Sequence, residues 1–396
     1  MSGRPPGRGL LRARGGHDRA RVTYVELFFD LVFVFAVTQL SHLLIAHLDA
    51  AGAIHATVLL AAVWWAWIDT SWVTNWLDPQ RPSVRLLLFA LMFVGLMLSA
   101  SIPGAFQAQA LLFALAYATI QIGRSAFMLV ALRRDDRRNF RNFQRIFAWH
   151  LLIGLLWIAG ALVEGSARLA MWIVAVGLES AAPLAGFAVP GLGRSTTADW
   201  NVDGGHLAER CALFVIIALG ESILVTGATA AGEPATATTV TAFVMAFVGS
   251  VAMWWIYFNI GEERATRKIA ADADPGRLAR AAYTYVHLLI VAGIVVEAVA
   301  DELTLVHVDG ALDLPQAAVI LGAPALYLAG NLLFKRASAR FVPLSHLVGL
   351  GLLAASALVA SRVTAPVLGS ITTGILVMVA IWETVSLRPR VASQQL

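Results

Sequence analysis

Only one cysteine, Cys211, occurs in 396 residues, which excludes an internal disulfide and a cysteine-held metal cluster. Charge is scarce as well: Asp, Glu, Lys and Arg supply 14% of the chain against 59% hydrophobic residues, with a mean hydropathy of +0.73. So little charge cannot cover the surface of a soluble domain, and the composition reads as a multi-span membrane protein. Gly-x-Ser-x-Gly, HExxH, phosphate-loop and CxxC motifs are all missing. No two histidines stand four apart on a helix as zinc ligands would. An enzymatic role, a cofactor and a resident metal are therefore not expected. The apolar runs are continuous rather than alternating, which disfavours a β-barrel.

What is there divides into twelve apolar stretches of the length, about 20 residues, that crosses a hydrocarbon core. They run over 23–46, 56–77, 84–102, 108–132, 143–164, 168–188, 206–227, 236–260, 280–300, 314–335, 341–361 and 365–386. The expectation is an all-α polytopic membrane protein. Residues 1–22, rich in Arg, Gly and Pro, cannot bury a core and read as a disordered basic tail. The run behind them is too long for a signal-peptide core and contains two acids, so it reads as an uncleaved first span. On this partition 25 of the 29 Lys and Arg residues fall on one side, and the positive-inside rule places both termini in the cytoplasm. Loops on the far side carry Asp49, Glu233, Asp301, Glu302, Asp309 and Asp313. Topology and attraction to anionic membrane lipid then account for the basic pI, and no nucleic-acid partner is implied.

The chain also repeats itself. HLLIGLLWIAGALV from His150 aligns without a gap on HLVGLGLLAASALV from His346, and WWAWID from Trp64 on WWIYFN from Trp254. IGRSAF from Ile122 aligns on AGNLLF from Ala329, LES at Leu178 on WET at Trp382, and the Glu26 stretch on the Glu209 stretch. Six spans per copy is an even number, so the two copies share one orientation and form parallel repeats, as in many transporters. The domain reading is a first repeat over 23–188, a cytoplasmic linker over 189–205, a second repeat over 206–388 and a C-terminal tail over 389–396.

Carboxylates inside apolar helices are the candidate functional residues, because a charge at mid-bilayer costs about 2.5–3.5 kcal/mol and must face protein, water or a cation. Glu26 and Asp30 stand one helical turn apart on a face shared with Phe33 and Val37. That face lines a pathway for a small cation or proton, or else Glu26 sits at the cytoplasmic interface and is neutralised by Arg21 or another basic residue. Glu209 belongs to the cytoplasmic end of the same pathway and Glu221 to its interior, while Arg210 reads as a snorkelling interface residue. Asp69 and Arg124 are replaced together by Asn259 and Asn331 in the second copy, which predicts a structural ion pair between them; a pairing of Arg124 with Glu26 or Asp30 is the alternative. His150 with Glu179, and His346 with Glu383, are symmetry-related pairs that either hold spans together or titrate near neutral pH. His287 and most of the tryptophans of the second span read as packing residues.

Two stretches carry a resemblance to known families. VELFFDLVFVFAVTQLSHLL at Val25–Leu44, with HLAERCALFVIIALGESILVTG at His206–Gly227, resembles the bacterial low temperature requirement protein A (LtrA) family. The resemblance implies an integral inner-membrane protein linked by name to growth in the cold, and it brings no catalytic residue with it. Phe28–Thr38 is also similar to the first helix of the lysosomal and bacterial potassium channels built from two six-span repeats, though Phe29 stands where that motif has serine. That similarity implies an architecture with first helices facing a central pathway. Taken together these readings predict a protein that moves an ion or small solute across the membrane, with a non-transporting sensor or scaffold, or a lipid-active enzyme, as alternatives.

Overall fold

The computed structural model describes residues 9–12, 21–133, 136–197, 200, 202–259, 269, 274–339 and 341–392. Each of the twelve apolar stretches overlaps one of these helices: α1 (Tyr24–Ala46), α2 (Ala50–Trp76), α3 (Pro82–Ser101), α4 (Ala110–Leu132), α5 (Arg137–Ala161), α6 (Gly165–Leu184), α7 (Gly204–Gly232), α8 (Ala237–Phe258), α9 (His287–Val306), α10 (Leu314–Ala339), α11 (Leu344–Ser356) and α12 (Ala365–Ala392). A turn at Pro275–Leu278 and a π-helical stretch at Ala279–Val286 lead into α9. Among the described residues there is no strand beyond isolated bridges. Local chemistry sets several helix starts. Asp136 accepts the Arg138 and Asn139 amides at 3.1 and 3.0 Å to cap α5, and Thr236 accepts the Thr239 amide at 3.1 Å to cap α8. Asp313 and Gln316 exchange backbone and side-chain bonds in a capping box that opens α10.

Ten of these helices are long and apolar enough to cross a membrane, two fewer than the twelve spans expected. α9 drops out because it holds Glu297, Asp301 and Glu302, and α11 because it has only 13 residues before the chain turns at Ala357–Val359. Several residues expected in loops are helical instead, Asp301 with Glu302 and Lys335 with Arg336 among them. Asp301 lies within α9 because that helix runs on to Val306, and Lys335 lies within α10, 4% exposed, because that helix runs on to Ala339. The stretch expected to be a disordered tail is ordered over part of its length: the Asp78 amide donates to Leu10 O at 2.9 Å and the Arg12 amide to Trp76 O at 2.8 Å. The rest of that tail, 1–8 and 13–20, and residues 393–396 of the expected C-terminal tail lie outside the described residues.

The chain falls into two compact units that interleave along the sequence. Met1–Leu40, Ile54–Arg210 and Asp272–Arg280 form the first; Ser41–Ala53, Cys211–Ala271 and Ala281–Leu396 form the second. Tilted aromatic rings pack in the first unit between α4, α5 and α6. Trp157 and Trp172 lie 4.8 Å apart with Phe113 5.6 Å from each, and Trp172 Nε1 donates to Trp157 O at 3.0 Å.

Glycine brings α9 and α10 together in the second unit. A Cβ on Gly293 would stand 2.6 Å from Tyr327 N, and one on Gly330 would stand 2.9 Å from Ile290 N, so the two backbones approach through their glycines. Gly293→Ala should therefore cost about 1–3 kcal/mol through overpacking. Gly322→Ala, on α10 where a Cβ meets open space, should instead be neutral or stabilise by up to about 1 kcal/mol. Unfolding midpoints of the two variants in detergent check this pair of expectations.

Candidate functional site: buried charge on apolar helices

Among the described residues, four clusters of buried ionisable side chains are built on these helices, two in each unit. The first is built on α1 in the first unit. Glu26, Asp30, Phe33 and Val37 share a fully buried face. Glu26 accepts two bonds from Arg12 Nη2, at 3.1 and 3.0 Å, and two from Thr23, through its amide at 2.8 Å and its hydroxyl at 2.9 Å. His206 Nε2, on α7, lies 2.9 Å from Glu26 Oε1. The tautomer follows from Asn75, whose Oδ1 accepts the Asp203 amide at 2.8 Å and whose Nδ2 then donates to His206 Nδ1 at 3.3 Å. The proton on Nε2 is left to bond Glu26.

One turn further along α1, Asp30 Oδ1 accepts Arg210 Nη2 at 2.7 Å and Trp67 Nε1 at 2.8 Å. Arg210 also donates to Ser71 Oγ at 3.2 Å and stands over the Trp67 ring at 5.7 Å. Asp30 and Arg210 are both 0% exposed, so Arg210 is a buried counter-ion and not a snorkelling interface residue. With Arg12 and Arg210 against Glu26 and Asp30, the cluster balances its formal charge. Glu26 is neutralised as one of the two readings expected, with Arg12 of the tail in the role considered for Arg21.

The second cluster joins α2, α4, α5 and α6. Arg124 Nη2 lies 3.1 Å from Asp69 Oδ2, and Arg124 Nη1 donates to Ala66 O and Thr70 Oγ1 at 3.1 and 3.0 Å. Arg124 also bonds Gln121 Oε1, which orients the Gln121 amide so that Nε2 bridges Asp69 at 3.1 Å and Glu179 at 2.9 Å. The structure thus brings Asp69 and Arg124 together and leaves Glu26 and Asp30 to other cations. His150 Nε2 is 3.4 Å from both Asp69 Oδ2 and Glu179 Oε1, and its Nδ1 is 2.6 Å from Ser125 Oγ. Ligand atoms of Asp69, His150 and Glu179 lie within 4.8 Å of one another, a spacing that suits a metal ion. Asp69 Oδ2 already accepts Arg124 and Gln121 and Glu179 Oε1 accepts Gln121, while Glu179 Oε2 has no partner among the described residues; a dication beside Arg124 would leave the cluster with net positive charge. A second proton on His150 would balance it instead.

In the second unit Lys335 gathers the third cluster. Its ammonium lies 2.7 Å from both Glu383 oxygens, 3.1 Å from Ile256 O and 3.3 Å from His346 Nε2. Those partners match the three N–H groups of an ammonium. His346 and Glu383 therefore meet through Lys335, and not as the direct pair expected by analogy with His150 and Glu179. Asn259 and Asn331, the uncharged counterparts of Asp69 and Arg124, bond Thr384 Oγ1 at 2.7 Å and Tyr327 O at 3.0 Å.

The fourth cluster was not anticipated from the sequence. Glu297 and Asp301 stand one turn apart on α9, both buried. Asp301 Oδ2 accepts hydroxyls from Ser222 at 3.2 Å and Thr226 at 3.1 Å, both on α7. Among the described residues no basic side chain forms a salt bridge with either carboxylate. The spacing that singles out Glu26 and Asp30 marks this pair too, but the ninth apolar stretch ends at Ala300, which leaves Asp301 in an expected loop.

The remaining candidates are spread out. Glu209 is exposed and accepts the Val22 amide at 3.3 Å, and Glu221 is buried on α7. His287 packs as expected, with Nε2 2.7 Å from Tyr257 OH and Nδ1 2.9 Å from Ala282 O.

Comparison with known proteins supplies two findings. A family described as bacterial low temperature requirement A protein (LtrA) matches residues 21–381. An uncharacterised protein of Rhizobium meliloti (strain 1021) is 42% identical over 371 residues, covering 94% of this chain and 91% of that protein. No solved structure matches, so the likeness of Phe28–Thr38 to a potassium-channel helix rests on those residues alone.

Proposed function

The chain belongs to the bacterial low temperature requirement A family, and from its apolar helices and their buried charge we propose that it moves a cation or proton across the bacterial cytoplasmic membrane. The observation that carries this reading is the Glu297 and Asp301 pair. Three clusters are supplied with counter-charge by Arg12, Arg210, Arg124 and Lys335, as a static scaffold would require. An unmatched pair of carboxylates serves no such purpose in an apolar helix, where each costs about 2.5–3.5 kcal/mol.

In this reading all twelve helices span, as two parallel six-helix repeats with both termini in the cytoplasm. α11 covers about 20 Å on its own, and the turns to Arg362 extend it. Glu26 and Glu209 mark the cytoplasmic end of the pathway, and Asp30 and Glu221 lie deeper. Asp30 is latched to Arg210 in this conformation, so passage would begin with release of that pair.

Purified protein in liposomes should carry a Na⁺, K⁺ or H⁺ flux several-fold above empty vesicles, and Glu297→Gln should cut it at least tenfold. Absence of flux under every one of these gradients would end the reading. A non-transporting scaffold is the second reading, favoured by the complete burial of the Glu26–Asp30 face. It expects the charge-removing pair Asp30→Asn with Arg210→Gln, and separately Glu221→Gln, to leave growth in the cold unchanged.

A further inference from the structure

We propose that Glu297 and Asp301 form, with four hydroxyls of the second unit, a binding site for one hard metal cation held by oxygen atoms alone. The proposal rests on the translocation reading and names its cargo site.

The two carboxylates border a cavity whose other polar lining is Thr304, Ser370, Thr372 and Thr373. Glu297 is 5% exposed, and its Oε2 has no hydrogen-bond partner among the described residues. A buried carboxylate oxygen left without a donor is an acceptor waiting for a positive group. The lining contains no lysine, arginine or histidine to supply one.

The hydroxyls are turned the right way for the same purpose. Thr304 donates to Ala300 O at 2.5 Å, Ser370 to Pro366 O at 2.7 Å, Thr372 to Gly369 O at 2.9 Å and Thr373 to Met245 O at 3.3 Å. Each hydrogen is spent on a backbone carbonyl, so each oxygen keeps its lone pairs for another partner. Asp301 is held in place by Ser222 and Thr226 through Oδ2. The donor set is thus carboxylate and hydroxyl oxygen with no nitrogen or sulfur, the set preferred by hard cations such as sodium, magnesium and calcium over zinc or copper.

Charge separates this site from the others. The clusters around Asp30, Asp69 and Glu383 each hold a buried Arg or Lys that would repel an arriving cation. The cavity has room for about one water-sized sphere, which fits a single ion stripped of its water shell.

The test uses the full chain in detergent at pH 8, titrated calorimetrically with the chloride salts of Na⁺, K⁺, Mg²⁺ and Ca²⁺ at constant ionic strength. One-site binding of at least one of these ions is expected, weakened tenfold or more by Glu297→Gln and three- to tenfold by Thr373→Val. Should Glu297→Gln fail to fold, Thr373→Val and Ser370→Ala carry the test, since both substitutions are small and leave the carboxylates in place. Binding of none of the four cations, proton uptake alone, or binding indifferent to these variants would overturn the site. Ion binding without flux in liposomes would keep the site and remove the translocation reading; flux that survives Glu297→Gln would do the reverse.

Discussion

Replacing Arg210 with glutamine should lower the stability of the protein by about 3–5 kcal/mol, the cost of stranding a buried carboxylate by removing its counter-ion. The magnitude follows from how few partners Asp30 has. Its Oδ1 accepts only Arg210 and Trp67, and its Oδ2 has no partner among the described residues. Without the guanidinium, Trp67 Nε1 alone would have to hold a fully buried charge. Removing both charges in Asp30→Asn with Arg210→Gln should return most of the loss, because a neutral amide pair has no ionic desolvation left to offset. Thermal or denaturant unfolding in detergent across the four proteins of this cycle measures the coupling directly. Equal loss in the double variant and in Arg210→Gln would mean that Arg210 acts by filling space against Trp67 and Ser71.

Lys335→Gln should cost a similar amount, about 3–5 kcal/mol, for the same reason in the second unit. Lys335 is the only cation within salt-bridge distance of Glu383 among the described residues, and it bonds both carboxylate oxygens. Its removal would also leave Ile256 O and His346 Nε2 without their donor. Lys335→Gln with Glu383→Gln should recover most of the stability. Lys335→Arg should recover less, because a planar guanidinium cannot reproduce the three diverging bonds of the ammonium. Arg124→Gln in the first unit should be milder, since His150 and the Gln121 amide still face Asp69 and Glu179.

These comparisons explain which parts of the molecule were legible in the sequence. Hydrophobic length alone located α1 to α12, because a run such as Tyr24–Ala46 has few other ways to satisfy its backbone in an apolar setting. The Asp69 and Arg124 pair was legible because the stretches that align with theirs carry Asn259 and Asn331 in place of both charges. Lys335 escaped the same alignment, because it stands one turn beyond Asn331 and so out of register with Arg124. Arg12 was hidden by composition, since a Gly- and Arg-rich tail gives no sign that one of its side chains will bond the Thr74 and Leu77 carbonyls and reach Glu26. Arg210 and Asp30 meet across 180 residues of chain, a distance over which residue spacing on one helix predicts nothing.

That separation matters also for how the molecule is made. Asp30 emerges from the ribosome 180 residues before the arginine that will neutralise it. At a synthesis rate of about 5–20 residues per second, α1 exists for roughly 10–40 seconds with its deepest acid unanswered. Over that interval the helix is a poor resident of lipid and a good client for whatever sheltered, hydrated surface the insertion machinery provides, until α7 arrives with Arg210.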